Sequence, residues 1–101
     1  MFLFNGKKKK MIAEKINTPS ATIIDVRTIS EFNSGHVNGS INIPLDQIPN
    51  KIGSLKKMSR PLIICCRSGM RSGSATQFLT KEGFDEVYNG GAWQTVQKTL
   101  K

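Results

Sequence analysis

The chain of 101 residues is poor in cysteine, histidine and acidic charge, with two Cys, one His and seven Asp plus Glu. Its cysteines, Cys65 and Cys66, are adjacent, so neither can staple a long loop as in a secreted disulfide scaffold. A bridge between such neighbours closes a strained ring with poor disulfide geometry. One histidine and two adjacent thiols do not make a ligand set, so neither a metal nor another cofactor is expected. No stretch approaches the roughly 20 apolar residues of a spanning helix, and Met1-Phe2-Leu3-Phe4 is too short for a signal-peptide core. A cytoplasmic protein in a reducing compartment, without stable membrane insertion, is the expectation.

What is present describes a folded domain: hydrophobic residues make up 38% and charged residues 22% of the chain. Lys and Arg number 15 and bring the net charge to +8, but four of these positives form the run Lys7 to Lys10. Residues 1–10 read as a basic, frayed tail ahead of a domain spanning 11–101. The lysine run lacks aromatic interleaving and any recognition motif, so no nucleic-acid partner is expected.

Met11 to Asn17 has helical character that Thr18-Pro19-Ser20 ends. The apolar runs Ala21–Arg27 and Pro61–Cys65 read as strands covered on both faces, and Ile41–Pro44 as a brief strand between them. Ser30 can cap a helical turn that Gly35 terminates. Ile48, Ile52 and Leu55 form one helical stripe within 46–58, interrupted by Pro49 and Gly53, which predicts a broken helix. Ala75, Phe78 and Leu79 share a face of a helix over 72–82; a strand over 84–88, a turn at Asn89-Gly90-Gly91 and a helix over 92–100 follow. Strands alternating with helices predict an α/β fold on a parallel sheet.

In such a sheet, reactive groups sit beyond the carboxyl ends of the strands, and Cys66 lies there, between a strand and a helix start. Unpartnered N–H groups and the positive end of the helix dipole stabilise an anion in that loop. Arg67 and Arg71 add formal positive charge, and Gly69 lets the backbone turn so that N–H groups converge. A thiolate, the reactive form of cysteine, is favoured at such a place. Most free cysteines are small buried hydrophobes, but inert ones do not come with two arginines, a glycine and a helix start. Cys65 belongs to the strand, points to the opposite face and reads as core.

Three stretches carry a family resemblance. Asp25-Val26-Arg27, followed by Glu31-Phe32 and by Gly35-His36-Val37-Asn38-Gly39-Ser40-Ile41-Asn42-Ile43-Pro44, is the first; the loop Cys66-Arg67-Ser68-Gly69-Met70-Arg71-Ser72 is the second. The third is Gly90-Gly91-Ala92-Trp93, after Gly83-Phe84 and Val87-Tyr88, with its tryptophan two residues early for a Gly-Gly-x-x-x-Trp ending. From Ile23 to Trp93 the chain resembles the rhodanese family of sulfurtransferases.

The resemblance implies a rhodanese-like α/β fold, a central parallel sheet of about five strands flanked by helices, with the first helix shortened because only Met11–Asn17 precedes the Asp-x-Arg strand. It implies double displacement, in which Cys66 takes sulfane sulfur from thiosulfate or a persulfide and yields it to cyanide, a small thiol, a protein thiol or a sulfur carrier. Backbone N–H groups of Arg67, Ser68, Gly69, Met70 and Arg71 would hold the persulfide, and the two arginines the anionic donor. The phosphatase and arsenate-reductase relatives of the fold use a loop one residue longer than the six of Cys66 to Arg71, which favours sulfur over phosphate. A non-catalytic interaction module on the same fold is the alternative. Asp25 and Arg27 are supporting residues, Arg27 pairing with Glu31 to orient the loops. His36 reads as a structural hydrogen-bonding residue, and Phe78 and Trp93 as core.

Overall fold

The computed structural model describes residues 2–101. Helix α1 (Phe2–Ile16) leads to strand β1 (Thr22–Asp25), helix α2 (Ile29–Asn33) and strand β2 (Ile41–Asn42). A 3₁₀ helix (Leu45–Lys51) runs into α3 (Ile52–Lys56), followed by β3 (Leu62–Cys66), α4 (Met70–Lys81), β4 (Val87–Ala92) and α5 (Trp93–Thr99). All strand pairs are parallel, in the order β2-β1-β3-β4.

Among the described residues the sheet has four strands, not five. The residues ahead of β1 are helical instead, and α1 runs through Lys7 to Lys10. The expected frayed tail and shortened first helix are therefore replaced by a 15-residue helix. Lysine is a good helix former, and Ile12 and Ile16, one turn apart, dock the helix on the sheet. Lys15 anchors it further, its Nζ 2.9 Å from Glu86. Met1, at the head of the short apolar start, lies outside the described residues.

Strand β3 is the centre of the molecule. Leu62, Ile63, Ile64, Cys65 and Cys66 are all fully buried, and hiding each aliphatic side chain contributes about 1.5–3 kcal/mol. Alternation divides them between two cores. Leu62, Ile64 and Cys66 face the layer of α3 and α4, with Leu55, Ala75 and Leu79. Ile63 and Cys65 face the layer of α1 and α5, with Ile16 and Val96. Phe78 and Trp93 are partly buried against these two cores respectively.

Asn89-Gly90-Gly91, expected to turn, is instead part of β4, and the strand comes later than 84–88. Its register on β3 shifts between Ile64 and Cys65, where Asn89 pairs with Ile64 but Gly91 with Cys65. Gly90 is the residue absorbed by this bulge. A Cβ there would lie 2.8 Å from the Ile63 side chain and 3.0 Å from that of Val96, so only glycine fits against the core. The break between 3₁₀ and α-helix at Lys51/Ile52, with Pro49 inside the 3₁₀ segment, matches the broken helix read from the stripe. Among the described residues no helix is long and apolar enough to cross a membrane.

Candidate functional site

The loop from Cys66 to Ser72 joins the C-terminal end of β3 to the first turn of α4. Cys66 is the last strand residue rather than the first of the loop. Gly69 caps α4 at φ +99°, a left-handed conformation that side-chain-bearing residues rarely adopt. This turns the chain back over the sulfur. The Gly69 N–H donates to Cys66 Sγ at 3.0 Å and the Ser72 N–H at 3.4 Å, and Ser72 Oγ lies 3.3 Å from it.

Burial pushes the Cys66 thiol up, but hydrogen bonds from the Ser72 side chain and from the backbone of Ser72, Gly69 and Ser68 outweigh it, so the thiol ionises below its ordinary value. Cys65, on the other face, is pushed up to about 12 by burial and, next, by the Asp25 carboxylate. Among the described residues the backbones of Arg67, Met70 and Arg71 place no N–H on Sγ.

Asp25 and Arg27 meet as a buried ion pair. Arg27 Nη2 is 2.6 Å and Nε 2.9 Å from the Asp25 carboxylate. Two further guanidinium protons go to the carbonyls of Glu31 (3.2 Å) and Gly35 (2.7 Å), and the guanidinium carbon lies 4.9 Å from the centre of the Trp93 ring. The expected Arg27–Glu31 side-chain pair is thus corrected: the carboxylate two residues away lies within reach inside the fold, and Arg27 takes only the backbone oxygen of Glu31. The Glu31 carboxylate belongs to Arg71, which binds both its oxygens at 2.7 and 3.0 Å. That pairing, led by the Arg71 hydrogen bonds, holds Glu31 down at about 2.

Glu31 also completes a capping box with Thr28, whose Oγ1 accepts from the Glu31 N–H. Thr28, not Ser30, therefore caps α2, and the Thr-x-x-Glu spacing was the available signal. Arg67 is exposed and forms no ion pair among the described residues. Ser68 and Met70 are exposed as well. A cavity of about 280 Å³ opens between Arg67 and a wall that includes Arg27, Gly35 and Trp93. His36 stacks on Phe32 and shares a 2.7 Å hydrogen bond with its carbonyl. A larger groove of about 890 Å³, lined by residues such as Ile12, Ile16, Gly90 and Thr95, includes none of the loop residues 66–72.

Two participants carry no sequence signal of their own: Ser72 closes the loop motif without an evident role, and Asn89 lies in a stretch with the composition of a turn. Ser72 Oγ donates to Asn89 Oδ1 at 2.6 Å, and Asn89 Nδ2 donates to the Gly69 carbonyl at 3.0 Å. No sequence signal joins residues 17 positions apart.

The arrangement suits a nucleophilic sulfur held under backbone donors. The family model described as Rhodanese-like domain matches residues 8–95. The Thiosulfate sulfurtransferase GlpE of Shewanella oneidensis is 34% identical over 97 residues, covering 92% of this chain and 95% of that protein. The Uncharacterized protein YqhL of Bacillus subtilis is 41% identical over 69 residues, and there the match takes in 68% of this chain but only 54% of the relative. Among solved structures, a "rhodanese with anions from E. coli" superposes with a TM-score of 0.68 at 30% identity, over 74% of this chain and 89% of that one. The chain is a rhodanese-like domain and belongs to the rhodanese family of sulfurtransferases.

Proposed function

We propose that this protein moves sulfane sulfur through a persulfide on Cys66. The observation that carries the reading is the convergence of the Gly69 and Ser72 N–H groups on Cys66 Sγ. In the first half-reaction the thiolate attacks the outer sulfur of thiosulfate or of a persulfide donor. A new S–S bond forms on Cys66, the donor's own sulfur–sulfur bond breaks, and its electron pair leaves with sulfite or thiolate. In the second, a thiophilic acceptor attacks the outer sulfur of the persulfide and regenerates the thiolate. The acceptor is cyanide, a small thiol, a protein thiol or a sulfur carrier.

Backbone N–H groups of the loop residues Arg67 to Arg71 hold the charge of the outer sulfur. Arg67, with no carboxylate partner among the described residues, takes the charge of the donor at the mouth of the cavity. Arg71 contributes its charge while tied to Glu31. Asp25 and Arg27 support the site from below by bracing the segment 25–35. No cofactor enters this cycle.

Incubation with thiosulfate is expected to add one sulfur to the intact mass, on Cys66, with release of sulfite; Cys66→Ala should show neither. An unmodified mass, with Cys66 still open to alkylation, overturns the reading. An aryl phosphate should not be hydrolysed.

A further inference from the structure

Ser72 Oγ carries one proton and has two partners. It lies 3.3 Å from Cys66 Sγ and 2.6 Å from Asn89 Oδ1. An amide oxygen only accepts, so while the Ser72 proton rests on Asn89 the Ser72 oxygen faces Cys66 as an acceptor, and the partner it suits is the protonated thiol. When Cys66 ionises, its contact with Ser72 stays a hydrogen bond only if the same proton turns to the sulfur, because a thiolate has nothing to donate. Asn89 Oδ1 then keeps the Gly91 N–H, 2.9 Å away, and is not left bare.

The fold is built around this amide. The bulge in β4 leaves Asn89 in register with Ile64, whose side chain faces α4. The first turns of α4 clear space for it: a Cβ on Gly73 would stand 3.2 Å from Asn89 Nδ2. Donation from Nδ2 to the Gly69 carbonyl, together with the Gly91 N–H on Oδ1, settles which end of the amide meets Ser72. The Gly69 carbonyl also accepts from the Gly73 N–H at 2.9 Å, so the loop turn does not depend on Asn89 alone.

We propose that Asn89 is a positioning residue that competes with Cys66 for the Ser72 proton, its neutral amide keeping the competition balanced so that Ser72 can serve both thiol and thiolate. The proposal deepens the reading of Cys66 as a sulfur nucleophile, and the role of Asn89 follows from the ionisation of the thiol alone. The charged groups around the sulfur are Arg71 on α4 paired with Glu31 on α2, the Asp25–Arg27 pair at the end of β1, and Arg67 in the loop. Strand β4 contributes no charge. A carboxylate at 89 would therefore be the first negative group on that side.

The test is the pH dependence of Cys66 alkylation by iodoacetamide, read by fragment mass, which requires no sulfur transfer. Asn89→Asp strengthens the competing acceptor and is expected to raise the midpoint by about one unit, a tenfold loss of thiolate at pH below both midpoints. In a Ser72→Ala background the same change should move the midpoint by less than half as much. Asn89→Leu removes the competitor and should leave the midpoint in place or lower it; Asn89→Ala replaces it if the bulkier side chain prevents folding. Equal Asp shifts with and without the Ser72 hydroxyl overturn the proposal, as does a rise on losing the amide, which marks a mere loop brace. If alkylation behaves as expected but thiosulfate adds no sulfur, the assigned function fails while the role of Asn89 stands.

Discussion

Cys65 and Cys66 share a strand, a peptide bond and complete burial, yet their surroundings shift the two thiols in opposite directions. Cys65 points into the layer of α1 and α5 among Ile16, Val37, Ile63 and Val96. No donor meets its sulfur among the described residues, and the nearest charge that matters is the carboxylate of Asp25, its register partner on β1. Cys66 points the other way, under a loop whose N–H groups converge on it. Burial alone therefore does not fix the direction in which a thiol shifts. What separates the two is whether a desolvated sulfur meets donors that replace the lost water.

The comparison is sharpened most by labelling both thiols across pH. Cys66 should react with iodoacetamide below the range of a free thiol, and Cys65 should stay unlabelled until the pH nears 12 or the chain unfolds. Equal labelling of the two in the folded protein near neutral pH would break it.

A smaller but still large effect is expected from Arg27→Ala. It leaves the fully buried Asp25 carboxylate beside Cys65 without its partner, and urea unfolding should show a loss of about 3–5 kcal/mol. A loss within error would mean that the pair does not brace the sheet end.

The smallest effect is on the Cys66 side. Glu31→Gln releases Arg71 from its carboxylate, and the unpaired guanidinium should lower the Cys66 midpoint by a few tenths of a unit. Glu31 is held at about 2, so its pair with Arg71 adds stability that is complete above the ordinary carboxylate range and fades as pH falls towards 2. Acid unfolding of the variant should be flatter across that window.

Much of this was legible in the chain. β-branched runs marked β1 and β3, the Ile48, Ile52, Leu55 stripe with Pro49 marked the broken helix, and the Cys66 loop stood out by its arginines and glycine. A local signal misleads where packing overrules it. Asn89-Gly90-Gly91 has the composition of a turn but is drawn into the sheet, because Gly90 alone lets β4 approach Ile63 and Val96. The lysine run reads as solvated tail but continues a helix that Ile12 and Ile16 dock. Arg27 and Glu31 have helical spacing and opposite charge, yet each takes a different partner once α4 brings Arg71 alongside.

The sequence alone places Cys66 where a buried strand gives way to a donor-rich turn, since hydrophobic runs, glycine position and charge act over a few residues. It also determined that Cys65 faces away, because side chains alternate along a strand. Which groups surround Cys66 Sγ depends on the assembled fold. The proton on Ser72 is directed by an amide on another strand, and Arg71 is held by a carboxylate 40 residues away. Such contacts depend on how layers and registers come together, and a one-residue bulge in β4 is enough to place them.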